Sequence, residues 1–171
     1  MSVIDVFDER VVDLDMDVAN KDEAIRLLSR HLKDASYIAD VDEFVADIYL
    51  REAEGETGIG EGVAIPHGKS ESVKNIGIAV GKCRRPIEWE TLDGEPVQII
   101  FLFCVSKAQY NTEHLKLLSD LAGRLGRGNT IALLKEMKTF DDLLCAFTDE
   151  TETQLEDMEE LTEEIEITIG E

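Results

Sequence analysis

The sequence predicts an α/β sandwich in which a mixed β-sheet carries helices on both faces. Two apolar runs, residues 75–81 and 97–105, have the continuous hydrophobicity of strands that are covered on both sides. Three longer segments instead place apolar residues at three- and four-residue spacing, which is typical of helices with one buried face. Because the two kinds of segment alternate along the chain, we expect them to pack as layers of one domain over residues 1–148.

The chain begins with a short extended segment and a first helix. Residues 1–19 alternate loosely in hydrophobicity, which predicts a short strand or an extended arm. Asn20 and Glu23 have the spacing of a helix N-cap and its capping-box partner, so we expect a helix over residues 21–35. His31 falls at the edge of the apolar stripe of this helix, and we interpret it as a boundary histidine without a functional role.

A second helix is expected over residues 41–53, with Asp40 or Asp42 as its N-cap. Gly55 is predicted to end it in the left-handed conformation of a C′ glycine. Arg51 lies on the border of the apolar face of this helix, and two interpretations of it stay open. Its aliphatic stem could cover the core while the guanidinium reaches solvent, or the guanidinium could lean over the following segment as an anion clamp.

Residues 55–70 are rich in glycine and hold five of the twelve glycines of the chain. Such density lets the backbone adopt positive φ and turn its N–H groups toward one point, an arrangement that suits an anion. Pro66 stiffens the chain immediately before His67. We therefore consider His67 a candidate for chemistry, against the alternative of a tight loop with an incidental surface histidine.

Two nucleotide-binding patterns fail in this segment. The glycines at 58, 60 and 62 put the third glycine one position too early for a dinucleotide fingerprint. The tripeptide Gly68-Lys69-Ser70 resembles the end of a Walker A loop, but Val63 occupies the position where that loop needs its first glycine. The sequence therefore predicts no nucleotide cofactor.

The strands of the predicted sheet follow the glycine-rich segment. Residues 75–81 are expected to form a buried strand that continues in extended conformation over residues 84–89, before a turn at residues 92–96. Residues 97–105 are expected to form a central strand covered on both faces. Trp89, the only tryptophan, is interpreted as an anchor beside this sheet.

A third long helix is expected to begin near Glu113 and to end at one of two nearby glycines. His114 lies in its first turn, on the inward edge. The N-terminus of a helix disfavours a protonated imidazole, so a neutral His114 could donate a hydrogen bond to a phosphate; a hydrogen-bonded boundary histidine is the alternative. The predicted buried stripe of the third helix is Leu118, Leu121, Ala122 and Leu125.

Two short helices, over residues 131–137 and 141–147, are expected to complete the domain.

Charge and cysteine use limit the partners and sites that the chain can have. A net charge of −21 repels nucleic acid and anionic lipid and suits a basic protein partner. Residues 149–171 hold eleven acidic residues and no Lys or Arg, which indicates an acidic tail or a linker.

Cys83, Cys104 and Cys145 form no CxxC pair and are interpreted as buried free thiols. No two histidines have the i, i+4 spacing common in zinc sites, so we predict no metal.

Membrane and secretion signals are missing from the sequence. The longest apolar stretch, Val97–Val105, is far too short to cross a bilayer. Acidic residues precede any basic residue at the N-terminus, which does not fit a signal peptide. We therefore expect a cytoplasmic protein that is not embedded in a membrane.

Five short motifs follow one another within residues 1–148. They are Arg51-Glu52; Thr57-Gly58-Ile59-Gly60; Val63-Ala64-Ile65-Pro66-His67-Gly68; Leu92-Asp93-Gly94-Glu95-Pro96-Val97; and Glu113-His114-Leu115, followed by Leu118 and Leu121-Ala122. Each is weak alone, but as an ordered set they resemble the IIA domain of the fructose–mannitol (type 2) family of the phosphoenolpyruvate-dependent sugar phosphotransferase system. Nitrogen-regulatory IIA proteins resemble the same motifs throughout.

The resemblance implies the mannitol-type IIA fold and a phosphoryl carrier that needs no cofactor. His67 would accept phosphate on Nε2 from the HPr phosphocarrier protein and pass it to a IIB domain, with fructose as the sugar that family likeness suggests. His114 and Arg51 match the second histidine and the arginine that flank the phosphate. Backbone N–H groups of the glycine-rich segment and the Thr57 hydroxyl are further donors on offer. The alternative is a regulatory protein whose phosphorylation state controls its binding to other proteins.

Overall fold

The fold is an open mixed β-sheet with helices packed on both faces, as the sequence predicts. A computed structural model describes residues 2–108 and 112–148. Within these residues the strands are β1 (Val12–Met16), β2 (Gly58–Gly60), β3 (Val63–Ala64), β4 (His67–Lys69), β5 (Gly77–Ile87) and β6 (Val97–Val105). The helices are α1 (Val3–Val6), α2 (Lys21–Asp34), α3 (Val41–Glu52), α4 (Glu113–Leu125), α5 (Thr130–Glu136) and α6 (residues 140–148).

The sheet is organised around β6. The strands pair in the order β1-β5-β6-β3-β2, and β4 also pairs with β6. The β5–β6 pair is antiparallel, whereas β3 and β4 run parallel to β6 and β1 runs parallel to β5. Since β5 occupies one edge of β6, the short strands β3 and β4 share the other edge. Residues 67–69 of β4 thereby lie beside residues 103–105 of the central strand.

The side chains of β6 alternate between two cores. One set, which includes Phe101 and Phe103, packs with residues of α4, α5 and α6, whereas the set that includes Leu102 and Cys104 packs with α2 and α3. Of the nine residues in the strand, all except Gln98 are buried. Burying one large apolar side chain stabilises a fold by about 1.5–3 kcal/mol, so this strand anchors both helical layers.

The first two helices begin at their predicted caps. The Asn20 side chain accepts a hydrogen bond from the backbone N–H of Glu23 at 2.9 Å, and Asp40 accepts one from Glu43, also at 2.9 Å. The segment expected as a strand or an arm over residues 1–19 contains β1, preceded by α1 and one 3₁₀ turn. Local hydrogen bonding therefore sets the start of both α2 and α3.

The predicted role of Gly55 at the end of α3 is wrong. Gly55 does not adopt positive φ, and α3 ends at Glu52. Its carbonyl instead accepts a hydrogen bond from Nη1 of Arg51 at 3.2 Å. An arginine in the last turn can satisfy carbonyl groups near a helix C-terminus, so this end needs no left-handed residue.

The buried stripe of α4 is rotated from the predicted one. Leu117 is buried, Leu118 is half-buried and Ala122 is exposed. The reason is His114, which is itself buried and begins the stripe, so that three- and four-residue steps from it fix the helix face. The buried positions of α4 are His114, Leu117, Leu121 and Leu125.

Two of the three cysteines have the predicted environment. Cys83 and Cys104 are buried, whereas Cys145 on α6 is exposed. The face of α6 that enters the core carries Leu143 and Phe147, which leaves position 145 on the outer side. The prediction of a buried thiol at Cys145 is therefore wrong.

None of the helices in residues 2–108 and 112–148 is both long and apolar enough to cross a membrane. The acidic segment predicted as a tail or linker over residues 149–171 lies outside the described residues. Its role stays a prediction.

Candidate functional site

The glycine-rich segment is built into the sheet. It forms β2, β3 and β4, and the turn between β2 and β3 holds Gly60, Glu61 and Gly62 at φ values of 101°, 56° and 83°. The Asp93 carboxylate braces this turn by accepting a hydrogen bond from the backbone N–H of Glu61 at 2.9 Å. Strands β3 and β4 pair with β6, which gives buried backbone groups the partners they need. The expected convergence of backbone N–H groups on an anion stays a prediction.

Strand β4 presents His67 toward α4 and the following glycine toward α3. His67 is paired in register with Phe103, and the two rings stack at a centroid distance of 5.6 Å. A Cβ atom at Gly68 would lie only 2.0 Å from a ring carbon of Phe44 on α3. Glycine at this position therefore lets α3 approach the strand that carries the candidate nucleophile.

His114 meets His67 from the first turn of α4. The two imidazole rings are 4.8 Å apart and nearly perpendicular, and His114 also lies 5.4 Å from the ring of Phe103. Both histidines are almost fully buried, with exposures of 5% for His67 and 2% for His114. The structure thus brings the two predicted histidines into direct contact.

Arg51 approaches the same histidine from the opposite layer. It lies in the last turn of α3, is half-buried, and shares with His67 a cleft of about 220 Å³. His114 is not among the residues that line this cleft. The lining residues are Asp47, Leu50, Arg51, Glu54, His67, Lys69 and Lys107.

Two lysines of the cleft were not singled out by the sequence. Lys69 follows His67 by two positions on β4, the spacing that puts strand residues on one face. Lys107, beyond β6, forms an ion pair with Glu71 at 3.6 Å. The two-residue spacing on a strand could have indicated Lys69 had β4 been recognised, whereas no local pattern points to Lys107.

The electrostatics of the site favour neutral imidazoles. Burial, then the neighbouring His114 and the positive charge of Arg51, lower the pKa of His67 to about 3. The backbone of Ile65 has a smaller, opposite effect and raises the pKa of His67. Burial and Arg51 likewise lower the pKa of His114. At neutral pH the ring of His67 is therefore uncharged and keeps one nitrogen lone pair for use as a nucleophile.

The Thr57 hydroxyl does not serve the site in the way the sequence suggests. It donates to the Glu52 carboxylate, at 2.7 Å to Oε1, and accepts a hydrogen bond from Nε1 of Trp89 at 3.3 Å. Thr57 is not among the residues that line the cleft. The prediction that its hydroxyl donates to a phosphate is therefore wrong.

Taken together, these residues offer a neutral buried nucleophile, a second imidazole and three cationic side chains beside one small cleft. That arrangement suits an anionic group that is transferred to a ring nitrogen. Among the described residues, no three His, Cys, Asp or Glu side chains are placed to hold a metal ion.

Comparison with known proteins assigns the chain to a family. The family described as phosphoenolpyruvate-dependent sugar phosphotransferase system, EIIA 2, matches residues 5–150. The chain belongs to this family. It is an EIIA-type component, and the mixed sheet with helices on both faces is the fold that its solved relatives share.

Relatives of this EIIA domain include both sugar-specific and regulatory proteins. The chain is 35% identical over 136 residues to the 2-O-alpha-mannosyl-D-glycerate-specific EIIABC component of Escherichia coli, covering 79% of this chain and 21% of that protein. It is 31% identical over 144 residues to the fructose-specific EIIABC component of Bacillus subtilis, covering 84% and 22%. The chain thus spans about a fifth of the length of these two relatives.

A solved structure matches over nearly its whole length. The crystal structure of the nitrogen regulatory protein IIA-Ntr from Neisseria meningitidis has a TM-score of 0.75 and 31% sequence identity to this chain. The match covers 85% of this chain and 99% of that one. The IIA-Ntr protein and this EIIA domain therefore share fold and family.

Proposed function

We propose that this EIIA domain is a cytoplasmic phosphoryl carrier that accepts phosphate from HPr on Nε2 of His67 and passes it to a IIB domain. The observation that carries the proposal is the position of His67: buried and neutral against His114, and lining a cleft with Arg51. His114 donates a hydrogen bond to the phosphate, and Arg51 clamps it. Residues 1–148 act as the IIA domain, and residues 149–171 as an acidic tail or linker without a catalytic part.

The transfer step needs only groups that the two proteins supply. The Nε2 lone pair of His67 attacks the phosphorus of the phosphohistidine on HPr, the donor N–P bond breaks, and its electron pair returns to the donor imidazole. Nδ1 of His67 keeps its proton, facing the protein interior. The transition state is loose and carries charge on the equatorial oxygens, so positioning and cationic donors supply most of the rate.

A labelling experiment tests this function. Incubation with labelled phosphoenolpyruvate, enzyme I and HPr should place one acid-labile, base-stable phosphate on each chain, since a phosphohistidine has that stability. The His67→Ala variant should take none. Persistent labelling of that variant would refute the site assignment, and an unlabelled wild-type chain would refute the function.

A regulatory role is the second candidate. It is favoured by the likeness to regulatory relatives: the chain is 31% identical to the IIA-Ntr protein of Neisseria meningitidis and 36% identical over 116 residues to a nitrogen regulatory protein of Bradyrhizobium diazoefficiens. Rapid discharge of the phosphate to a IIB domain would support sugar transport, with fructose as the first sugar to test. A phosphorylated chain that no IIB domain discharges would support regulation.

A further inference from the structure

A second cluster of charged and polar groups lies next to Arg51 in the chain but outside the cleft. The Glu52 carboxylate is 3.4 Å from Nζ of Lys21, and their side chains are only 7% and 16% exposed. The Thr57 hydroxyl donates to Oε1 of Glu52 at 2.7 Å and stands 2.9 Å from Oε2. We refer to Lys21, Glu52 and Thr57 as the Glu52 cluster.

The Glu52 cluster joins three elements that are distant in the chain. Lys21 is the first residue of α2, Glu52 is the last residue of α3, and Thr57 immediately precedes β2. Tyr49, three residues before Glu52, adds a second tie because its hydroxyl donates to Asp22 of α2 at 2.8 Å. The last turn of α3 is therefore held from two sides, by α2 and by the approach to β2.

Stability alone is a weak reason for such a cluster. Moving two charges out of water costs free energy that their attraction offsets only in good geometry, and apolar side chains of similar size often replace a buried ion pair without loss. A polar network whose members are paired does, however, favour one arrangement of the elements that it connects. The effect of Glu52 is therefore expected on geometry more than on stability.

Arg51 is the residue for which that geometry matters. Successive helix residues point about 100° apart, so Glu52 can face its cluster while Arg51 faces the cleft. The Arg51 guanidinium donates to the Gly55 carbonyl at 3.2 Å, within the segment that runs from α3 to Thr57. This segment begins at Glu52 and ends at Thr57, whose hydroxyl is hydrogen-bonded to Glu52. A movement of Glu52 would therefore also move Arg51.

We propose that Glu52 is a positioning residue for phosphoryl transfer: its bonds to Lys21 and Thr57 fix the last turn of α3, and thereby hold the guanidinium of Arg51 beside His67. The consequence for rate rests on the proposed function, since a displaced Arg51 would no longer compensate the charge of the phosphoryl group. The effect of Glu52 on the position of the Arg51 guanidinium does not depend on phosphate, so it can be tested in the unphosphorylated protein.

The ring of His114 reports where Arg51 lies. Burial and the Arg51 charge lower the pKa of His114, so a displaced guanidinium should raise that pKa. In an NMR titration of the full chain, Glu52→Gln should shift the pKa of His114 upward, in the direction of Arg51→Ala and by a smaller amount. The double variant Arg51→Ala/Glu52→Gln should titrate like Arg51→Ala alone, because both changes act through one guanidinium.

Glu90 provides a matched control. Its carboxylate is 2.6 Å from the same Lys21 ammonium, but its side chain is 66% exposed and it does not belong to α3. Glu90→Gln removes one negative charge beside Lys21, as Glu52→Gln does, and should leave the titration of His114 unchanged. If Glu52→Gln does not fold, the double variant Lys21→Met/Glu52→Gln can be used instead. It removes both members of the ion pair, so that neither charge is left without its partner, and the same titration applies to it.

A kinetic measurement completes the experiment. Glu52→Gln should lower kcat for phosphate transfer from phosphorylated HPr by roughly tenfold with KM nearly unchanged, as expected when a positioned group is displaced by a fraction of an ångström. The proposal is overturned by a folded Glu52→Gln variant with wild-type titration of His114, or by shifts that add to those of Arg51→Ala. A wild-type chain that accepts no phosphate refutes the proposed function instead, and leaves the titration result standing.

Discussion

The two sides of His67 have opposite character. Toward α4 its ring meets Phe103 and His114, which form a buried aromatic surrounding without a formal charge. Toward α3 it opens onto the cleft, where Arg51 and two lysines face two carboxylates. Burial and His114 on the first side, with a smaller contribution from Arg51 on the second, keep the ring neutral. In the proposed function the second side also offers positive charge to an incoming phosphoryl group.

If His67 carries phosphate as proposed, its position between a buried and an open side has a physical advantage. Burial keeps the imidazole neutral and nucleophilic, yet a phosphoryl group brings a charge of about −1.5 to −2 that a buried site could not tolerate. Cations at the edge of the cleft can meet that charge without entering the core. The cleft is lined by three cationic and two acidic side chains, whereas the chain as a whole has a net charge of −21.

The largest expected effect is a loss of stability in acid, caused by the buried imidazole of His67. The pKa of His67 is lowered by burial, His114 and Arg51 from 6.5 to about 3, so between these values the unfolded chain binds a proton that the folded chain does not. Stability is therefore full above pH 6.5 and falls below it, by up to ~1.4 kcal/mol per pH unit from this group. Urea unfolding from pH 7 to pH 4 should show a shallower loss for His67→Gln than for wild type; equal slopes would contradict the account.

The next largest effect is expected on the rate of phosphoryl transfer when the guanidinium of Arg51 is removed. Arg51→Ala should slow phosphoryl transfer from HPr by about 100-fold, the scale of removing one positioned transition-state donor, while the melting temperature stays near that of wild type. Arg51→Lys keeps the charge without the planar guanidinium and should recover part of the rate. If Arg51→Ala unfolds the domain instead, the arginine serves mainly to cover the core with its stem.

A smaller effect is expected on the aromatic side. His114→Ala should stay folded and slow transfer about tenfold in both directions, because a neutral donor to the phosphate is lost. His31→Ala is the control: this histidine also lies on a helix and is 2.9 Å from the Asp13 carboxylate, but it does not line the cleft. Equal rates for wild type and His114→Ala would remove the proposed role of the second histidine.

The smallest effect should come from the rim of the cleft. The side chain of Lys107 is 56% exposed and already paired with Glu71, so Lys107→Met should slow transfer only about twofold, and less at high salt. Lys33→Met, on α2 and outside the cleft, gives the matched loss of one charge. A loss for Lys107→Met as large as that for Arg51→Ala would mean that the rim, and not α3, supplies the main cation.

Much of the scaffold could be predicted because its signals are local. Strand β6 is a continuous apolar run, and the caps of α2 and α3 are set by residues three positions apart. The glycine-rich segment could not be predicted in the same way. Strands of two or three residues are too short for an alternating pattern, and their pairing with β6 joins residues more than thirty positions apart, such as His67 and Phe103.

The members of the site could be predicted better than their surroundings. His67, His114 and Arg51 follow from motif resemblance, and the structure brings all three to one region. The buried position of His114 was underestimated, because a polar residue is not counted in an apolar stripe although an imidazole can pack against aromatic rings. Neither the lysines of the cleft nor the contact of Glu52 with Lys21 has a local signature, since both depend on how α3 docks.

The position of the phosphate on the phosphorylated chain decides whether His67 is the phosphoryl carrier. Nitrogen-15 NMR of the histidine rings, recorded after phosphorylation through HPr, identifies the ring and the nitrogen that carry phosphorus. We expect phosphate on Nε2 of His67, a proton retained on its Nδ1, and an unphosphorylated His114. Phosphate on Nδ1 of His67, or on His114, would contradict this expectation.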